Sequence, residues 1–217
     1  MIRIRRLDEP AVLEVKKAQW DRAYQDRRAK KPDAKAWSSQ YGHEEIKRRL
    51  QAMSHHKCFY CERSVKDGCE VDHYIEVAER PDLAHEWRNL YLACSECNRV
   101  KQPNKVVPVD QCLDPCDVSV DPAEHLAFAA DLVQARNNSE RGRNTIQKYA
   151  LDRLELESER RKQLLYFMTA YTEVLSTMNH EGRQAMRDDE RELLRRFAQP
   201  EAPFSLMFRS YLERHTL

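Results

Sequence analysis

Apolar positions recur at helical spacing towards both ends of the chain and lose that period in the middle. From Pro10 to about Met53 the pattern is helical. Val12, Val15, Ala18 and Trp20 form an apolar stripe, the run KKPDAKAW interrupts it, and a second helix is predicted through His43 to Met53. Trp20, Trp37 and Tyr41 read as core anchors, because large aromatics at this spacing pack. The helical period returns at Asn144, a residue able to cap, with Ile146, Tyr149, Ala150 and Leu154 three to four apart. Further helices are predicted over roughly Glu157 to Met178, Arg183 to Phe197 and Phe204 to Arg214, the first with many i,i+4 charge pairs.

Between these halves, from Lys57 to Lys105, the texture changes to short β-prone pieces, polar turns and clustered cysteines. The run CEVDHYIEV, from Cys69 to Val77, reads as a strand that carries an acid beside a histidine. Both are poor strand formers and costly to bury unpaired, so their presence asks for a use. Alternation along a strand puts Asp72 on one face with Glu70 and Tyr74, and His73 on the other with Val71 and Ile75. A sharp turn after His73 would let both reach one substrate. The stretch VVPVDQCLDPCDVSVDPAEHLAF that follows is turn-rich, with prolines that forbid long regular elements. Three regions are therefore predicted: a helical, basic 1–56, a compact 57–110, and a turn-rich then helical 111–217.

Composition sharpens this picture. The 217 residues suffice for one domain with helical extensions, and 34% charged residues, only 4 glycines and a mean hydropathy of −0.84 suit exposed helices. Net charge is +1, so any nucleic-acid surface has to be local. The first fifty residues provide one candidate, from Arg3, Arg5 and Arg6 through Lys16, Lys17, Arg22, Arg27, Arg28, Lys30, Lys31 and Lys35 to Lys47, Arg48 and Arg49, which reads either as a phosphate footprint or as a solvated helical face. No stretch reaches the ~18 apolar residues of a membrane span, and MIRIRRLDEP lacks the apolar core of a secretory signal. A cytoplasmic protein is expected, whose seven cysteines serve as thiols and metal ligands. There is no glycine-rich phosphate loop and no internal repeat.

Two CxxC pairs stand out, Cys58 with Cys61 and Cys94 with Cys97. Each turn aims two thiolates at one point, and two such turns make the four-sulfur cage that suits structural Zn²⁺. A redox pair is the standard competitor for a single CxxC. Cys69, Cys112 and Cys116 lie outside the spacing and read as ordinary thiols. A closed sulfur site would not itself catalyse; between the knuckles lie Asp72 and His73, with Asn89 and Asn98 further along the chain. The bland alternative makes Asp72 and His73 a structural ion pair in a zinc module that binds nucleic acid or a partner without cutting. The other histidines read as surface or locally bonded.

DH, then NL, then CxxCNxxK, enclosed by two CxxC knuckles, resembles the HNH endonuclease motif, with Asn98 where many members have histidine. The resemblance implies an α+β protein in which a zinc-stapled ββα-metal core is embedded in a mostly helical chain. It implies His73 as general base, Asp72 and Asn98 as ligands of a catalytic Mg²⁺ or Mn²⁺, and Asn89 as a brace for the loop that carries His73. The residue types suit phosphodiester hydrolysis, since a neutral imidazole can accept a proton near neutral pH and oxygen ligands suit a hard cation. Glu70 would approach that cation or solvate the strand, and Lys101, with Arg99 and Lys105, would reach phosphate or the surface.

The flanks say more. IRIRR, CFYCE, LDPC, DPAEHLAF and TIQKYALDRLELESERR are similar to the PtuB-like family of HNH proteins in Septu and retron anti-phage systems. That likeness implies a nuclease acting on nucleic acid, DNA or tRNA, beside an ABC or SMC-like ATPase of the PtuA-like kind. In retron versions it adds a reverse transcriptase and its RNA-DNA product. The chain departs from the family at AFAADLVQ, where Ala and Asp occupy a stretch in which the family's hairpin turn calls for Gly.

Overall fold

The computed structural model describes residues 1–31, 34, 43–65 and 68–215, and Lys35, Trp37 and Tyr41 fall outside them. Helix α1 (Ala11–Lys30) begins behind Pro10 and carries Glu14 in its first turn and Arg27, Arg28 and Lys30 in its last, charges that oppose the helix dipole. Its inward face differs from the expected stripe. Val15 is 77% exposed and Ala18 is also exposed. Val12 and Trp20 do turn inward, but the face runs on through Leu13, Lys17, Asp21 and Tyr24, and its two charged members pair with Glu86 and His85. Inward polar residues dilute the apolar period on which a sequence reading depends. Helix α2 (Glu44–Ser54) is plainly amphipathic and buries Ile46, Leu50 and Met53, with the His43 ring accepting from the Glu45 amide at its start.

The middle of the chain forms a ββα unit. Strand β1 (Glu70–His73) pairs antiparallel with β2 (Leu90–Ala93), in a register that sets Asp72 opposite Tyr91 and His73 opposite Leu90. The run from Cys69 to Val77 is thus a strand only as far as His73. β2 is buried along its whole length, and α3 (Ser95–Val100) follows it directly. The turn before β1 is tied to β2 by the Phe59 amide on the Leu92 carbonyl at 2.9 Å.

Beyond this unit the chain runs irregularly to α4 (Pro122–His125), capped by Asp121 on the Ala123 amide. A hairpin of β3 (Leu126–Ala129) and β4 (Leu132–Ala135) comes next. It closes without glycine because Ala130 adopts the left-handed conformation, φ 55°. Helix α5 (Glu140–Tyr149) is capped by Ser139, not by Asn144, which lies inside the helix. Gly142 allows α5 to approach α4, since a Cβ there would lie 2.3 Å from the His125 carbonyl oxygen.

The long α6 (Leu154–His180), α7 (Asp188–Arg195) and α8 (Ser205–His215) complete the fold. Phe167 packs among Phe197, Phe208 and Tyr211, all with ring centroids 5.2 to 5.4 Å away, a burial that contributes about 1.5–3 kcal/mol. Glu62 ties these helices to the ββα unit. Its carboxylate accepts from the Met1 ammonium at 2.7 Å and from Ser205 at 2.7 Å, and faces Lys57 at 3.5 Å. Burial alone would raise its pKa, but the Met1 ammonium, Lys57 and the hydrogen bonds to it hold it down at about 2. Among the described residues no helix is long and apolar enough to cross a membrane.

The left-handed Ala130 supplies a test of the hairpin. An L-side chain there costs on the order of 1 kcal/mol relative to glycine, so Ala130→Gly is expected to raise unfolding free energy by about 0.5–1 kcal/mol in urea. A lower midpoint at unchanged denaturant slope would contradict the turn described.

Candidate active site

Cys58 and Cys61 come from the turn before β1, and Cys94 and Cys97 from the start of α3. All four are buried, their sulfurs lie within 4.8 Å of one another, and those of Cys61 and Cys94 are 3.8 Å apart. A tetrahedral ion with bonds of about 2.3 Å sets its sulfurs about 3.8 Å apart. The quartet therefore fits one zinc ion. The Cys97 amide faces the Cys94 sulfur at 3.4 Å and Arg153 donates to the Cys97 sulfur at 3.5 Å, which supplies hydrogen bonds and positive charge to groups that bind metal as thiolates. Cys69, Cys112 and Cys116 stand apart, against Gln51, the Pro108 carbonyl and Arg6. Burial pushes the Cys112 and Cys116 thiols up to about 11.

Asp72 is buried, 7% exposed, on the face of β1 that meets α3. Its Oδ2 accepts from the Tyr60 hydroxyl at 2.5 Å and from the Lys101 ammonium at 2.8 Å. Tyr60 belongs to the first CxxC turn and stacks on Tyr149 of α5 with centroids 3.9 Å apart. Burial, and after it the Asp72 charge, raises the Tyr60 phenol well above its ordinary range, so it stays a donor. Lys101 also donates to the His73 and Tyr74 carbonyls, so this lysine is a buried clamp on the end of β1 and no surface group.

His73, the last residue of β1, points to the opposite side. Its Nε2 lies 2.9 Å from the Ala84 carbonyl oxygen, and a carbonyl only accepts. Nε2 thus carries the proton, and Nδ1 is the lone-pair nitrogen of the neutral ring. Burial lowers the His73 pKa, opposed in part by the Ala84 hydrogen bond and the Asp72 charge, which favours that neutral ring.

Asn89 clasps the turn after β1. Its Oδ1 accepts from the Ile75 amide at 2.7 Å, while Nδ2 donates to the Ile75 and Leu83 carbonyls at 2.9 and 3.2 Å. Asn98, on α3, donates from Nδ2 to Glu70 at 2.6 Å. The carboxylate can only accept, which assigns the amide and leaves Oδ1 as the oxygen of Asn98 outside that bond. Asp72, His73 and Asn98 line one cleft of about 340 Å³ with Glu76 and Lys101. Faces alternate along β1, yet Asp72 and His73, at the end of the strand, both line the cleft.

Sequence reasoning named the cysteines, Asp72, His73, Asn89 and Asn98, with Asn89 as a brace, but gave no such part to the two groups that hold Asp72. Tyr60 carries no signal beyond its place in a CxxC turn, and Lys101 reads as one more basic residue near a helix end. Glu70 proves to face Asn98.

With this geometry in view, residues 58–103 match the HNH endonuclease family, and a ββα unit with Asp and His at the end of its first strand and Asn on its helix is the form expected of such a domain. Residues 58–103 of the chain thus form an HNH endonuclease domain. Beyond that segment it resembles Septu protein PtuB of Bacillus mycoides (strain KBAB4), with 30% identity over 199 residues, covering 75% of this chain and 66% of the relative. It is also similar to Septu protein PtuB of Bacillus thuringiensis, 37% identical over 67 residues that cover 30% of this chain and 26% of that protein. The chain thus spans somewhat under two thirds of the first relative's length.

The Tyr60 hydroxyl provides a direct test of the link between the cysteine cage and Asp72. Hydrogen bonds to charged groups contribute about 1.5–3 kcal/mol. Tyr60→Phe should lower unfolding free energy by about that amount while bound zinc, measured by elemental analysis, stays the same. Unchanged stability would show that this bond does not hold Asp72.

Proposed function

We propose that the protein is a metal-dependent endonuclease that hydrolyses phosphodiester bonds of nucleic acid, with DNA the favoured polymer, in anti-phage defence beside a PtuA-like ABC or SMC-type ATPase. The observation that carries the catalytic reading is the meeting of His73, in its Nε2–H form, with Asp72 and Asn98 around one cleft. The resemblance to Septu protein PtuB supports the defence setting.

In this reading His73 is the general base. Its Nδ1 takes a proton from water as the water oxygen attacks phosphorus, and the bond to the leaving oxygen of the nucleic-acid backbone breaks. Asp72 and Asn98 would hold a Mg²⁺ or Mn²⁺ ion. The oxygen donors fit a hard cation that keeps several waters and takes further ligands from phosphate. Among the described residues the cysteine quartet is the one cluster of three or more Cys, His, Asp or Glu ligands, so few protein ligands meet at the cleft. When bound, such an ion neutralises charge on the non-bridging and leaving oxygens. Tyr60 and Lys101 hold Asp72 through one oxygen and leave Oδ1 for the cleft, Glu70 turns Asn98, and Asn89 keeps the turn after His73 closed. Zn²⁺ in the cysteine cage has a structural part.

The same chemistry serves an RNA target, as in a retron effector that cuts tRNA with a reverse transcriptase as an added partner. The non-catalytic reading draws on Lys101, whose ammonium already neutralises Asp72. Cleavage separates these readings. The protein expressed with its ATPase is to be incubated with supercoiled plasmid and with total tRNA in Mg²⁺ or Mn²⁺. His73→Ala is expected to lower cleavage by about 10²–10⁴-fold at unchanged zinc content. Equal cleavage by both proteins would contradict the assignment of His73, and the polymer that is cut decides between DNA and tRNA.

A further inference from the structure

The geometry points to α1 as a positioning element for the general base: through Asp21 and His85 it orients the Ala84–His85 peptide, whose carbonyl oxygen sets the tautomer of His73. The inference rests on the assignment of His73 as base.

The oxygen that accepts from His73 Nε2 belongs to Ala84, which is fully buried. That carbonyl and the His85 amide lie in one planar peptide unit, so a side chain that fixes His85 also fixes the direction in which the Ala84 oxygen points. His85 is fixed on several sides. It is 1% exposed, its Nδ1 lies 2.7 Å from Asp21 Oδ1, and its ring sits 5.8 Å from that of Trp20 and edge-on to Tyr24 at 6.3 Å. Asp21 can only accept, so the His85 Nδ1–H donates. The next residue, Glu86, is held by Lys17. On the other side Asn89 donates to the Leu83 carbonyl at 3.2 Å.

The charged residues on the inward face of α1 thereby acquire a use that packing alone does not give them. Were the Ala84 carbonyl to turn away, neutral His73 would lose the acceptor that selects its Nε2–H form, and part of the population would place the proton on Nδ1. A base in the wrong tautomer cannot take a proton from water.

The test uses the full chain labelled with ¹⁵N-histidine, with long-range proton–nitrogen spectra that read the tautomer of each imidazole, the His73 signals being assigned by their loss in His73→Ala. Wild type is expected to show His73 as the Nε2–H form. Asp21→Ala, on a half-exposed helical position where alanine is well tolerated, should give a mixture of forms. Its cleavage of supercoiled plasmid with Mg²⁺ and the co-expressed ATPase should show kcat about tenfold lower and KM within about twofold. His85→Phe keeps a ring between Trp20 and Tyr24 but removes the bond to Asp21, and should behave alike. Asp21→Asn retains an acceptor oxygen and should keep the wild-type tautomer.

A pure Nε2–H form of His73 in both Asp21→Ala and His85→Phe would overturn the inference, as would a mixture in Asp21→Asn equal to that in Asp21→Ala. Should His73→Ala cleave as wild type while Asp21→Ala still mixes the tautomers, the base assignment falls and the support by α1 stands.

Discussion

The structure depends on the convergence of four sulfurs between the turn before β1 and the start of α3. Each element they join is too slight to persist by itself. β1 and β2 have 4 residues apiece and α3 has 6, and neither a short two-stranded ribbon nor a helix below ~12 residues is stable in water alone. Buried thiolates would repel one another without a cation between them, so zinc bound in this cage would couple metal binding to the folding of the unit. The cage also does more than close a loop. Tyr60, inside the first CxxC turn, carries its position to the Asp72 carboxylate through one hydrogen bond.

Around the cleft the support is polar and comes from opposite sides. Tyr60 and Lys101 hold Asp72 from the knuckle and from the end of α3, while Ala84 and Asn89 hold His73 and the turn behind it. A buried network of this kind gains by being complete, since a low-dielectric interior makes each satisfied bond stronger and each orphaned group expensive. The C-terminal helices add to it. Lys148 of α5 donates to the Gln102 and Val107 carbonyls and so secures the segment after α3, and Glu62 binds the knuckle to α8.

How much of this was legible in the chain follows from what sequence spacing can carry. The cysteine pairs, the adjacent Asp72 and His73, and Asn98 directly after Cys97 stand out because local spacing places them, and the family resemblance supplied their roles. The mixed, mostly helical architecture followed from the change of period near Lys57 and its return at Asn144. Tyr60 with Asp72 and Asp21 with His85 were invisible, because those pairs form only when the chain folds back on itself. One smaller misreading has the same kind of cause: Lys17 and Asp21 turn inward and blur the apolar stripe of α1.

The measurement closest to the central claim is amide hydrogen exchange of the full chain with zinc bound and after its removal by a chelator. If the cage organises the cleft, protection in β1, β2 and α3 falls together when zinc is withdrawn, while the aromatic core of α6 and α8 keeps more of its own. Protection retained at Asp72 and His73 in the zinc-free protein would contradict the account.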